Sequence, residues 1–119
     1  MESYLKRMSK EHEKLFPLAT LGTQALKLDE ELSECEKAED LFEVQNELAD
    51  SLIVCCGIYR FAPKTALVVA TSILGTAESF GFKSILLKKA DEKWKVNKKR
   101  KWKYENGIYH HIGEDEYDS

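Results

Sequence analysis

Apolar residues along this chain follow the spacing of amphipathic α-helices. Between residues 3 and 15, and again between residues 18 and 37, they recur every three or four positions, which aligns them along one helical face. The two stripes are Leu5, Met8, His12 and Leu15, and then Leu21, Ala25, Leu28, Leu32 and Cys35. We therefore predict a first helix over residues 3–15, ending near Pro17, and a second over residues 18–37 that packs against other helices.

The pattern of residues 41–102 predicts three further helices, and parts of them are apolar on every face. A stripe runs through residues 41–61, and its second half, residues 51–59, is apolar on every side. Such a segment must be buried in a bundle or in an oligomer interface. Pro63 suits the first turn of a fourth helix, which continues to about Ser79 and is almost entirely apolar or small. A fifth helix is expected over residues 83–102.

The end of the chain carries a different signal. Asn106-Gly107 is a pair typical of two-residue β-hairpin turns, and the residues around it alternate weakly between apolar and polar. Residues 113–119 are acidic, and we expect them to form a disordered tail. A length of 119 residues suits one domain. We predict a single all-α domain over residues 1–119, a bundle of four to five helices with a short C-terminal tail or hairpin.

Composition and cysteine usage exclude several classes of protein. The first residues lack the apolar segment of a secretory signal, and the longest uncharged runs are shorter than the roughly 20 apolar residues that span a bilayer. Cys35, Cys55 and Cys56 include two neighbours and form no Cys-x-x-Cys motif, which favours reduced thiols over a disulfide or a zinc site. We therefore expect a cytoplasmic protein that does not enter a membrane.

Charge is divided along the chain in a way that the net value of −3 conceals. Residues 29–50 hold ten acidic side chains and one basic side chain, whereas residues 83–103 hold ten basic side chains and two acidic ones. The two blocks could pair with each other, or could hold a cation and an anion together. The sequence pI of about 5.7 argues against bulk binding of nucleic acid.

Two pairs of carboxylates are the candidate chemistry of the acidic block. Glu31 and Glu34 lie three residues apart on the predicted second helix, and Glu47 and Asp50 lie three apart on the third, so each pair shares a helical face. The short connection between the two helices makes them antiparallel neighbours, which would bring the pairs together. Repulsion between carboxylates held partly out of water is relieved by Mg²⁺, which accepts carboxylate oxygens. The alternative is an ordinary solvated acidic face.

The basic block carries an aligned set of phosphate-binding side chains. Lys93, Asn97 and Arg100 follow a four-three spacing that places them on one face of the predicted fifth helix, and Lys89 extends that face by one turn. Fixed positive charge and the fork of an arginine suit phosphate oxygens. Lys27, one turn before the acidic pair, is a further candidate. The alternatives are a solvated basic face and a nucleic-acid patch with interleaved tryptophans.

The motifs Glu30-Glu31-Leu32-Ser33-Glu34 and Glu47-Leu48-Ala49-Asp50 resemble the metal-binding signature of the all-α nucleoside triphosphate pyrophosphohydrolases, which include the MazG-like proteins and the dimeric dUTPases and dCTPases. Residues 93–102 are similar to the closing helix of small phage-type members. The resemblance covers about residues 20–60 and 85–112. It departs at the apolar stretch 62–80, where family members often have only a short loop.

The resemblance implies a MazG-like bundle that hydrolyses a (deoxy)nucleoside triphosphate to the monophosphate and pyrophosphate, with Mg²⁺ or, as a substitute, Mn²⁺. It implies dNTP pool control or house-cleaning in a bacterial or phage-infected cytoplasm, by a dimer or tetramer, and slightly favours a purine substrate such as dGTP. The metal ligands it implies are Glu31, Glu34, Glu47 and Asp50. Glu30 would orient or deprotonate the attacking water.

Other residues and other functions remain open at this stage. Phe16 and Gln24 precede the acidic signature and could contact the base, with core or capping roles as the alternative. His12 is expected to be packed or half exposed, with contact to the base as the alternative. His110 and His111 are expected to be surface residues rather than ligands. One competing hypothesis is a non-catalytic helical module that binds nucleic acid or a protein partner through residues 83–103. Another is a self-paired oligomeric scaffold.

Overall fold

The computed structural model describes residues 1–112, which form five α-helices followed by a two-stranded antiparallel hairpin. The elements are α1 (Glu2–Leu15), α2 (Leu21–Glu36), α3 (Leu41–Tyr59), α4 (Pro63–Ser79), α5 (Lys83–Lys99), β1 (Trp102–Glu105) and β2 (Ile108–His111). The prediction of an all-α bundle with a C-terminal hairpin is confirmed. The predicted disordered tail, residues 113–119, lies outside the described residues. Among the helices of residues 1–112, none has the length and apolarity needed to cross a membrane.

Helix ends follow from local chemistry, and two of them correct the sequence prediction. Helix α2 begins at Leu21 rather than Leu18 because Thr20 and Thr23 form a reciprocal capping box, in which the Thr20 side chain accepts from the Thr23 N–H at 3.2 Å. Helix α5 ends at Lys99, short of the predicted Trp102, because Arg100 is extended and leads directly into β1. The Trp102 indole N–H then donates to the carbonyl of Asn97 at 2.9 Å.

Helix α3 is the axis of the bundle. It packs against α1, α2, α4 and α5, and every residue from Leu48 to Ile58 is buried except Asp50. The apolar second half of this helix is thus enclosed within one chain, as the bundle prediction required. The Ser51 hydroxyl, buried in the same segment, donates to the backbone carbonyl of Glu47 at 2.8 Å and so needs no other partner.

The apolar stripe predicted for α2 forms only part of its buried face. Leu28 and Cys35 of that stripe pack against the core. Leu21, Ala25 and Leu32 are exposed, and Gln24 and Glu31 face α3 in their place. Helix α2 packs mainly on α3, so it buries one narrow row. Within the described part of the chain, Gln24 is the one α2 side chain that is buried. This rotation matters for function because it turns Glu31 toward α3.

The C-terminal hairpin is docked onto the link between α1 and α2. Asn106 and Gly107 have φ values of 56° and 78°, the positive pair that a tight hairpin turn of this type requires. The backbone N–H of Leu18 donates to the Tyr109 hydroxyl at 2.9 Å. The Phe16 ring lies 4.7 Å from Trp102 and 5.0 Å from Tyr109, measured between ring centroids. The hairpin therefore forms a wall of the molecule rather than a free tail.

Candidate functional site

Three of the predicted metal ligands form a carboxylate cluster between α2 and α3. Glu31 and Glu34 on α2 and Glu47 on α3 each offer one carboxylate oxygen, and these oxygens lie within 4.8 Å of one another. Glu31 and Glu47 are half-buried, whereas Glu34 is exposed. The antiparallel packing of α2 and α3 brings these carboxylates together. Helix α3 begins after Asp40, which caps it because its side chain accepts a hydrogen bond from the Glu43 N–H at 2.8 Å.

Burial and mutual repulsion disfavour negative charge on the carboxylates of this cluster. Burial, followed by the nearby carboxyl groups of Glu47, Asp50 and Glu34, raises the pKa of Glu31 to about 8. Contact with Glu47 also raises the pKa of Glu34. The Oε2 atom of Glu47 is buried with no hydrogen-bond partner in residues 1–112. An all-oxygen group of crowded carboxylates is the donor set that a hard divalent cation prefers, so these residues fit Mg²⁺ or Mn²⁺.

Asp50, the fourth predicted ligand, forms an ion pair with the basic helix instead of joining the cluster. The Lys93 ammonium lies 3.1 Å from Oδ1 and 3.2 Å from Oδ2 of Asp50. Burial raises the pKa of Asp50, and Lys93 opposes that rise. The acidic and basic blocks of the sequence therefore meet directly in this ion pair, between α3 and α5. Lys93, predicted as a phosphate ligand, has its charge directed at Asp50.

A cavity of about 600 Å³ lies beside the cluster, and charged groups of both signs border it. Three acidic residues line it, namely Glu30 and two of the predicted metal ligands, Glu31 and Asp50. A nucleotide-sized ligand fits a volume of this order. The remaining lining residues are His12, Phe16, Thr23, Gln24, Leu26, Lys27, Ile53, Val54, Asn97, Arg100, Trp102, Ile108, Tyr109, His110 and His111.

The structure brings most of the predicted binding residues to this cavity, but not all. Lys27, Asn97 and Arg100 line it, as do the two candidate base contacts, Phe16 and Gln24. Two predicted phosphate ligands, Lys93 and Lys89, are not among the lining residues. Lys93 is paired with Asp50, and Lys89 lies elsewhere. Its ammonium sits 4.0 Å from the centre of the Phe42 ring on α3, a cation–π contact that holds it away from the cavity.

The cavity is lined by three histidines that the sequence did not assign to the site. His110 and His111, expected as ordinary surface residues, are exposed but lie along the cavity wall that the hairpin provides. His12 is buried, and burial, followed by Arg60 and Lys27, lowers its pKa to about 4. The Asn-Gly pair signalled the hairpin itself. Its docking onto Phe16 depends on contacts about 90 residues apart along the chain, such as Leu18 to Tyr109, which no local pattern reveals.

Comparison of the chain with known protein families, with curated proteins and with solved structures finds no match. Besides the motifs of the sequence, three features of the site itself bear on function. These are the carboxylate cluster, the ion pair that joins α3 to α5, and the cavity that both helices border.

Proposed function

We propose that this protein is a metal-dependent nucleoside triphosphate pyrophosphohydrolase. The observation that carries the proposal is the position of the carboxylate cluster, in which Glu31 belongs both to the cluster and to the wall of a nucleotide-sized cavity. The same cavity is lined by Lys27, Asn97 and Arg100, which suit phosphate oxygens. The motif resemblance described above points to the same reaction.

Glu31, Glu34 and Glu47 would hold the metal ion, with Asp50 as a further ligand if it is released from Lys93. When bound, Mg²⁺ neutralises charge on the phosphate oxygens and lowers the pKa of water. The raised pKa of Glu31 means that this carboxyl retains a proton near neutral pH in the absence of a cation. Metal binding should therefore displace a proton, and affinity should increase with pH.

The remaining chemistry is assigned to side chains around the cavity. Glu30 takes a proton from water as the water oxygen bonds to the α-phosphorus, and the bond from that phosphorus to the bridging oxygen breaks. The products are the nucleoside monophosphate and pyrophosphate. Arg100 and Lys27 stabilise the negative charge that develops on the leaving pyrophosphate, and Asn97 donates to a phosphate or sugar oxygen.

A homo-oligomer, a dimer or tetramer, is part of the proposal. Helix α2 packs mainly on α3 and leaves a set of apolar side chains exposed to solvent. Exposed apolar residues of this kind mark interaction surfaces in soluble proteins. They are Leu18, Leu21, Leu26 and Leu32 on and before α2, with Leu41 and Phe42 at the start of α3.

The decisive experiment incubates the purified protein with each dNTP and Mg²⁺ and identifies the products. We expect a monophosphate and pyrophosphate, loss of activity in EDTA, and recovery with Mg²⁺ or Mn²⁺. Glu47→Gln should abolish turnover, while Glu36→Gln, an exposed α2 carboxylate outside the cluster, should retain it. Release of single phosphate, or full activity in Glu47→Gln, contradicts the proposal. Metal-independent, salt-sensitive binding of DNA or RNA without turnover would favour the helical binding module instead.

A further inference from the structure

Gln24, one of the residues that line the cavity, carries a buried polar atom without a partner. Its side chain is 6% exposed, and its Oε1 atom has no hydrogen-bond partner among the described residues. A buried acceptor left in this state is destabilising, and such groups are rare in native proteins. The oxygen therefore lacks an N–H donor, which a molecule bound in the cavity would supply.

His12 lies beside Gln24 and is held by aromatic rings. Its ring stacks on Trp94 with the centroids 5.8 Å apart and an interplanar angle of 14°, and it lies 4.9 Å from Phe16. Because its pKa is lowered to about 4, the imidazole is neutral at physiological pH. A neutral imidazole offers one donor and one acceptor, which suits an uncharged polar ligand better than an anion.

Gly57 on α3 makes room for both side chains. A Cβ at this position would lie 2.5 Å from Gln24 Oε1 and 2.7 Å from His12 Nε2, closer than any ordinary contact. Glycine in a helix interior is unfavourable compared with alanine, so its presence here has a local reason. The two polar groups can lie side by side against the α3 backbone only because no side chain stands between them.

We propose that His12 and Gln24 form the nucleobase-binding end of the cavity and determine which base is accepted. An N–H of the base donates to Gln24 Oε1, and His12 pairs with the neighbouring acceptor or donor on the same edge. Phe16 and Trp102, which line the cavity, supply aromatic surface for the planar ring. This inference rests on the proposed nucleotide substrate, since it assigns the part of that substrate which the carboxylates and cations do not contact.

The test measures binding without hydrolysis. The four deoxynucleoside 5′-monophosphates and deoxyribose 5-phosphate are titrated by calorimetry in EDTA against the wild type, Gln24→Met and Gln45→Met. Gln45 is a half-buried glutamine of α3 outside the cavity lining, so it is the matched control. We expect the wild type to bind its preferred monophosphate about tenfold more tightly than the sugar phosphate. Gln24→Met should lose that preference, and Gln45→Met should keep it.

The outcomes separate this inference from the proposed function. Equal binding of all monophosphates and the sugar phosphate, or a base preference that survives Gln24→Met, overturns the base-binding role even if every dNTP is hydrolysed. Base-selective binding through Gln24 without pyrophosphate release overturns the hydrolase and leaves the binding site in place. If Gln24→Met does not fold by circular dichroism, His12→Phe gives the same readout, because it keeps the ring that stacks on Trp94 and removes both nitrogens.

Discussion

Replacing Glu31 by glutamine should stabilise the metal-free protein while removing its function. The Glu31 carboxyl has a pKa of about 8 against an ordinary value of 4.5. At about 1.4 kcal/mol per pKa unit, this difference corresponds to an upper bound of about 5 kcal/mol. Because the side chain is only half-buried, solvent screening reduces the expected cost of its charge to about 2 kcal/mol. An amide of the same shape carries no charge and should relieve that cost.

The effect has a defined dependence on pH. Between pH 4.5 and about 8, the folded protein holds a proton on Glu31 that the unfolded chain has already released. The free energy of unfolding therefore decreases as pH rises through this window. Below pH 4.5 the carboxyl is protonated in both states and costs nothing, whereas above pH 8 the full cost is present. The gain from Glu31→Gln should be close to zero at pH 4 and largest at pH 8.5.

Thermal unfolding followed by circular dichroism in EDTA measures this directly. For a domain of this size, about 2 kcal/mol corresponds to an increase in Tm of roughly 8 °C for Glu31→Gln at pH 8.5. Glu36→Gln, on the same helix and exposed, should change Tm by less than about 2 °C at either pH. A Glu31→Gln protein that is less stable than the wild type at pH 8.5 would refute the idea that carboxylate crowding strains this site.

Three further results are expected from other parts of the structure. Lys93→Met should lower the free energy of unfolding by about 1 kcal/mol at pH 8, because it leaves Asp50 partly buried without its ion pair. Urea titrations should show that this loss of stability vanishes at pH 3, and an equal loss at both pH values would contradict the ion-pair explanation. Gly57→Ala should destabilise the folded protein by about 1–3 kcal/mol through overpacking, measured by the same urea titrations. An unchanged midpoint of urea unfolding would mean that the neighbouring side chains can move aside. Tyr109→Phe removes the hydroxyl that accepts from the Leu18 N–H, and the hairpin amides should then exchange about tenfold faster in hydrogen–deuterium exchange. Unchanged amide protection would show that ring contacts alone dock the hairpin.

The helices were predictable because their signals are local. Pro63 and Ser79 bound α4 in both the prediction and the structure, since proline is restricted to the first turn of a helix. The positive φ values at Asn106 and Gly107 follow from the same kind of short-range preference. The start of α2 is also set by a local signal, because the capping box at Thr20 begins the helix at Leu21, three residues after the predicted start.

The carboxylate pairs were partly predictable for the same reason. Spacing of three residues fixes Glu31 beside Glu34 within one helix, and the short connection to α3 brings Glu47 toward them. Spacing could not show that Asp50 turns to Lys93, or that Lys89 turns to Phe42. Those partners lie more than 40 residues away along the chain, and which contact forms depends on how the helices are rotated.

The sequence by itself determined where the helices lie, which charges share a helical face and where the chain turns back on itself. These properties depend on residues within a few positions of each other, where backbone geometry fixes the relation. The tertiary structure decided the rotation of α2 that turns Glu31 rather than Leu32 toward α3, and the docking of the hairpin that closes the cavity. It also placed His12 and Gln24 together over Gly57. Those arrangements depend on the packing of whole elements against each other. Each contact joins residues from two elements that are distant along the chain, so the sequence of one element does not determine it.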